Sequence, residues 1–251
     1  MAPHQDSSLA PPTEVLSVVY PHSASPRSRS VGNRVLVGLL DIPAPPPKVV
    51  ADWEREITDQ VGLEPGDVET LPLARTRMRW SDLKHCIEGA EQWAQAQGLT
   101  DALTDSAPTL MACRGARYHH DAVQYGDAAF CNLFLSEDQG LDLHFPVLHL
   151  RLPLQRGLVV VFDTGQPHAV IPRDRTMFDP TDFPPQRDCS QVFLTWEIPM
   201  DNASVAQALG VVFDLGTETT PTSHAQSPEA QLWHRGAPAQ VCPCSGALRP
   251  A

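Results

Sequence analysis

Three residues of this 251-residue chain have the types and spacing of a metal site. His119 and Asp121 stand two apart in Arg117-Tyr118-His119-His120-Asp121, and His168 follows in Gly165-Gln166-Pro167-His168. If residues 117–121 are extended, His119 and Asp121 project from one face, because side chains alternate along a strand, and His120 faces away. An imidazole and a carboxylate then converge, and His168 brings a second imidazole from a later segment. Two histidines and one carboxylate on one face leave three octahedral positions free, an arrangement suited to Fe(II). Zinc accepts the same ligand types and is the competing metal.

The elements around these residues follow from apolar periodicity. Val49, Val50, Trp53, Ile57 and Val61 predict a helix over 49–61. Leu83, Cys86, Ile87, Ala90, Trp93 and Ala94 predict another over 81–97, with Ser81 as its cap and Gly98 as its stop. A buried strand is expected over 33–42, ending at the prolines of 44–47, which cannot donate ladder hydrogen bonds. From about residue 108 the pattern becomes short β-like runs: 109–113, 118–120, 128–135, 141–150, 157–162, 168–171 and 191–198. Turn residues separate them, and such spacing predicts a sandwich or barrel with the helices covering one face. A short helix is expected over 202–212. Residues 1–32 read as a loose Pro/Ser-rich arm, 33–199 as the main domain, and 200–251 as a largely irregular extension.

Composition narrows the function classes. The net charge is −12, which disfavours a phosphate backbone as partner, so no nucleic acid is expected. No apolar run reaches the roughly 20 residues of a membrane span, and no charged start with an apolar core marks a secretion signal. The six cysteines have no small-scaffold spacing, so a soluble, cytoplasmic protein is expected.

The order H-x-D, a strand, the apolar hairpin Gly157-Leu158-Val159-Val160-Val161-Phe162, then His168-Ala169-Val170, then a strand reaching Trp196, resembles the 2-oxoglutarate/Fe(II)-dependent dioxygenases. It is closest in style to their prolyl-hydroxylase-like branch, and covers about residues 110–199. The resemblance implies a mainly β fold with flanking helices around a double-stranded β-helix (jelly-roll) core. It makes His119, Asp121 and His168 the iron ligands, with Fe(II) and 2-oxoglutarate as cofactor and cosubstrate. O2 and a small-molecule or peptide substrate complete the implied reaction, hydroxylation of an unactivated C–H bond.

In that family the far carboxylate of 2-oxoglutarate meets a basic residue on the last core strand. Here that position falls at Gln191, which is neutral. Arg187 shares the parity of Gln191, Phe193 and Thr195 and is the expected anchor, with Arg173 and Arg175 as alternatives. Tyr118 and Asn132 are expected to add hydrogen bonds. The neutral Gln191 keeps open a cupin-like oxygenase that does without 2-oxoglutarate, and a non-catalytic β-barrel module with a vestigial metal site. Cys242, Cys244 and His234 form a weaker metal candidate, since two thiols one residue apart lack the usual spacing.

Overall fold

A computed structural model describes residues 16–22, 25–184, 186–215 and 229–251. Among these residues the chain is mostly β, with three antiparallel sheets and a few helices.

The strands are β1 (Leu16–His22), β2 (Ser25–Ser30), β3 (Leu36–Leu39), β4 (Val68–Leu71), β5 (Thr109–Arg114), β6 (Ala116–His119), β7 (Ala128–Phe134) and β8 (Leu141–Phe145). There follow β9 (Leu150–Pro153), β10 (Leu158–Asp163), β11 (His168–Pro172), β12 (Ser190–Pro199), β13 (Gln231–His234), β14 (Ala237–Val241) and β15 (Leu248–Pro250). The helices are α1 (Pro47–Arg55), α2 (Leu73–Arg79), α3 (Leu83–Ala96), α4 (Ala122–Tyr125) and α5 (Ala203–Leu209). A π-helical turn, Glu56–Val61, continues α1.

Strand order is β3-β10-β7-β12-β5-β4 in the largest sheet and β6-β11-β8-β9 in the second. Side-chain alternation explains how these two are covered. Along β12, Val192, Leu194, Trp196 and Ile198 pack in one cluster with Trp53, Leu83, Cys86, Ala90 and Ala94 of α1 and α3. Phe193 of the same strand joins Phe134 and Phe162 in a second cluster, with Leu143, Phe145, Val170 and Ile171 of the four-stranded sheet. The six-stranded sheet therefore has helices on one face and the smaller sheet on the other. β10 is buried along its whole length, as a strand covered on both faces must be. Each large apolar side chain buried this way contributes about 1.5–3 kcal/mol.

The helix and strand expectations for residues 49–61, 81–97 and 109–198 are met with three differences. Helix α3 starts at Leu83 without a side-chain cap, not at Ser81. The run 141–150 breaks at a turn where His149 takes φ +51, so β8 and β9 form a hairpin. The first helix ends in a π turn closed by Gly62 at φ +60.

The ends of the chain correct the reading most. Part of the segment expected to be a loose arm forms β1 and β2, and the extension expected to be irregular supplies β13, β14 and β15. Together they make a third sheet, ordered β15-β14-β13-β1-β2, over Val18, Tyr20, Val31, Ala122 and Leu232. The rest of the arm, residues 1–15, and residues 216–228 lie outside the described residues. Among the described residues no helix is long and apolar enough to cross a membrane.

Candidate metal centre

Gly115, at φ +67, turns the chain from β5 in the large sheet to β6 in the small one. An L side chain is strained at that φ, and a Cβ there would run into the ring of Phe183. β6 then pairs with β11 so that His119 lies directly opposite His168. The strand ends at His119. Asp121 instead occupies the flanking position of α4, with φ −99 and ψ 1. The expectation that strand alternation aims His119 and Asp121 together is thus corrected: a turn into a short helix aims the carboxylate. Its backbone N–H donates to the Thr164 carbonyl at 2.8 Å, which ties it to the segment before His168.

The three side chains converge. His119 Nε2 is 3.5 Å from Asp121 Oδ1, and His168 Nε2 is 3.5 Å from Asp121 Oδ2. One ligating atom from each residue lies within 4.8 Å of the others. Charge-assisted hydrogen bonds close to about 2.7–2.9 Å, so these groups face one another without bonding. The spacing approaches what donors hold around one shared ion at about 2.0–2.2 Å from each.

The tautomers agree. His119 Nδ1 lies 2.6 Å from the Arg117 carbonyl, and His168 Nδ1 lies 2.9 Å from the Gln166 carbonyl. A carbonyl only accepts, so both Nδ1 atoms carry the proton and both Nε2 lone pairs are free for a metal. Burial, and then His119, hold His168 well below the usual imidazole pKa, so it is the neutral form that a metal needs. Burial pushes Asp121 up, while His119 and His120 pull it down. Phe145 and Phe162 flank the His168 ring and keep water from it. His120 is not one of the converging groups, and its Nδ1 is buried without a partner. The donor set and its geometry therefore fit a divalent metal that accepts two imidazoles and a carboxylate, Fe(II) or zinc.

The segment 163–167 that presents His168 is held from outside the metal set. Asp163 accepts from Arg29 Nη1 and Nη2 and from the backbone of Gly32 and Gly165. Thr164 Oγ1 lies 2.6 and 2.8 Å from the carbonyls of Tyr125 and Ala128, which share its one proton, and Gln166 Nε2 donates to the Gly32 carbonyl. Sequence reasoning missed Arg29, Asp163 and Gln166. Their partners are more than a hundred residues away or in turns, and no local periodicity marks them.

Between the six-stranded and the four-stranded sheet, beside the triad, lies a cavity of about 480 Å³. Its walls include His119, Asp121, His168, Gln124 and Tyr125, with Phe130, Asn132 and Phe134 from β7 and Phe193, Thr195 and Glu197 from β12. Exposure falls from Glu197 through Thr195 to Phe193, and from Thr109 through Met111 to Cys113. Along these two strands the cavity is thus most open at the Glu197 end and most buried at the Cys113 end, while Thr70 of β4 reaches the surface beside Met111. Among the described residues no Arg or Lys lines it.

The residues expected to bind the cosubstrate lie elsewhere. Arg187 is exposed and donates to the Gln139 carbonyl. Gln191 is fully buried but does not line the cavity, and its Nε2 reaches the Glu137 carbonyl at 3.4 Å. Tyr118 Oη meets His144 Nδ1 at 2.6 Å, outside the cavity wall. Arg173 pairs with Asp138 and Asp142, and Arg175 with Asp182. Asn132 does line the cavity. The fit for 2-oxoglutarate therefore fails at its far carboxylate, which finds no cation. Among the described residues Cys242, Cys244 and His234 form no metal-binding group.

No family model and no curated protein matches the chain in sequence. Solved structures do resemble it. A Pseudomonas putida prolyl-4-hydroxylase is 19% identical over 66% of this chain and 92% of its own, with a TM-score of 0.38. A Phytophthora capsici prolyl 4-hydroxylase is 18% identical over 61% and 55%, with a TM-score of 0.36. SnoN, a non-heme alpha-ketoglutarate-dependent epimerase from nogalamycin biosynthesis, is 13% identical over 77% and 89%, with a TM-score of 0.33. Likenesses this distant carry no argument about chemistry, which rests on the residues above.

Proposed function

We propose that this protein is a non-haem Fe(II)-dependent oxygenase acting on a C–H bond of a small molecule, amino acid or peptide side chain. The observation that carries this is the convergence of two Nε2 atoms and one carboxylate, with both Nδ1 protons held on backbone carbonyls. The two facing antiparallel sheets are read as a double-stranded β-helix core, and residues 33–199 as the oxygenase domain.

In this reading His119, Asp121 and His168 hold the iron, which supplies the oxygen activation that no side chain provides. All three side chains line the cavity, so a metal held by them would be accessible to a substrate entering there. Asp121 offsets part of the metal's charge. The carbonyls of Arg117 and Gln166 keep each ring proton on Nδ1, which fixes the ring planes. Phe145 and Phe162 exclude water around His168. The family resemblance brings 2-oxoglutarate with it. The absence of any Arg or Lys from the cavity wall favours a second version of the same centre, which draws its electrons from another reductant.

Anaerobic Fe(II) titration of wild type against His168→Ala, followed by metal analysis, tests the centre. One equivalent of iron is expected in wild type and a large loss in the variant. Equal iron in both removes the triad from the chemistry.

A further inference from the structure

We infer that the cavity beside the triad takes a non-anionic ligand that donates hydrogen bonds, a hydroxyl- or amine-bearing molecule, and offers no seat to a dicarboxylate. This rests on the reading of the triad as a metal centre, and names what lies next to the metal.

The register of the large sheet lays the wall out in rows. Glu197 pairs with Phe130 at the open end. One step in, Thr195 pairs with Asn132 on one side and Thr109 on the other. One step deeper, Phe193 pairs with Phe134 and Met111. A polar row thus crosses three strands between a carboxylate at the mouth and an apolar buried end.

An anion has no place in any of these rows. At the mouth it meets Glu197. In the deep row it loses water and gains no partner, which is the costly case for a charge. The Arg residues around the wall make other contacts: Arg114 Nη2 donates to the Pro184 carbonyl while its Nε is buried without a partner, Arg117 pairs with Asp67, and Arg27, beyond Glu197, pairs with Asp214.

The middle row asks for donors. Asn132 is 7% exposed, and its Oδ1 is buried with no partner; the Thr195 hydroxyl beside it is likewise unpartnered. A buried amide oxygen left without a donor destabilises the empty protein, and a ligand O–H or N–H placed there removes that cost. Thr and Asn side chains also donate, so Glu197 sets the sign. It accepts only, and it favours an ammonium or hydroxyl over a carboxylate.

Saturation-transfer NMR tests the preference on metal-free and on Co(II)-loaded protein. The probes are galactosamine (cationic, hydroxylated), methyl galactoside (neutral, hydroxylated) and 2-oxoglutarate. Galactosamine and methyl galactoside are expected to bind the metal-free protein and 2-oxoglutarate to bind it far more weakly, and the Co(II) form is expected to keep both sugars. Asn132→Leu is expected to weaken both sugars about tenfold, the scale of one hydrogen bond. Glu197→Gln is expected to weaken galactosamine about fivefold, and methyl galactoside less. Glu197 is exposed, so that variant does not threaten folding. Binding of 2-oxoglutarate to the metal-free protein as tight as galactosamine, or binding of neither, overturns the inference. Failure of Co(II) to bind overturns the metal centre instead, while the metal-free arm still reports on the cavity.

Discussion

Nη1 of Arg29 lies 2.5 Å from Oδ2 of Asp163, and neither side chain is exposed to solvent. The guanidinium fork also places Nη2 2.9 Å from Oδ1, and Nε donates to the Gly126 carbonyl. One end of this pair stands on β2 of the terminal sheet. The other closes β10, five residues before His168. The pair therefore couples the terminal sheet to the segment that presents a metal ligand.

Arg29→Ala leaves the Asp163 carboxylate buried and unpaired, which costs about 3–5 kcal/mol. Urea unfolding should report that loss, with Arg29→Lys falling between because it keeps the charge but not the two-pronged contact. In the folded fraction, metal affinity should fall roughly 10–100-fold, the range seen when groups behind a ligand are removed. Undiminished Co(II) affinity in folded Arg29→Ala would separate the terminal sheet from the centre.

His119 and His120 are neighbours with opposite roles. His119→Ala should cost more metal affinity than the roughly 10–100-fold typical of outer groups, whereas His120→Ala should leave it within a few-fold. Isothermal titration with Co(II) distinguishes them. A greater loss in His120→Ala reverses the assignment.

Gly115→Ala should destabilise by about 1–3 kcal/mol, because φ +67 is strained for an L residue and the added methyl meets Phe183. For a chain this size each kcal/mol lowers the melting temperature by roughly 2–4 °C. A melt no lower than wild type would mean that the turn relaxes freely.

The cysteines should separate by pH. Hydrogen bonds from Ser245 and from the backbone of Ser245 and Cys244 bring the Cys242 thiol down to about 7, whereas burial pushes Cys113 up to about 12. A thiolate is the reactive form, so its fraction grows as pH rises through the pKa. In a Cys244→Ser background, iodoacetamide labelling of Cys242 should accelerate between about pH 6 and pH 8 and then level off, with Cys113 unlabelled until unfolding. A Cys242 rate that begins to climb only above about pH 8.5 contradicts the hydrogen-bonded thiolate.

The sequence showed the parts of this protein that bury apolar side chains periodically. Trp53, Leu83, Ala90 and Ala94 marked the helices, and Val192, Leu194 and Trp196 marked the last strand of the large sheet. His119 and His168 were visible as chemical types, and both line the centre. Asp121 was named for the right group but the wrong reason, since alternation along a strand does not describe a turn into α4. Strand β2, Ser-Pro-Arg-Ser-Arg-Ser, was illegible because it has no apolar pattern at all. Its burial depends on Arg29 meeting Asp163, a pairing that only the fold reveals. Arg187 shared the parity of the inward residues of β12, but the strand begins at Ser190, so the alternation does not reach it.

The triad lies toward the Glu197 end of the cavity, where Phe162 pairs with Phe130 and packs on His168. A metal held there would stand between that mouth and a molecule seated against Phe134 and Phe193, so the two would share one chamber.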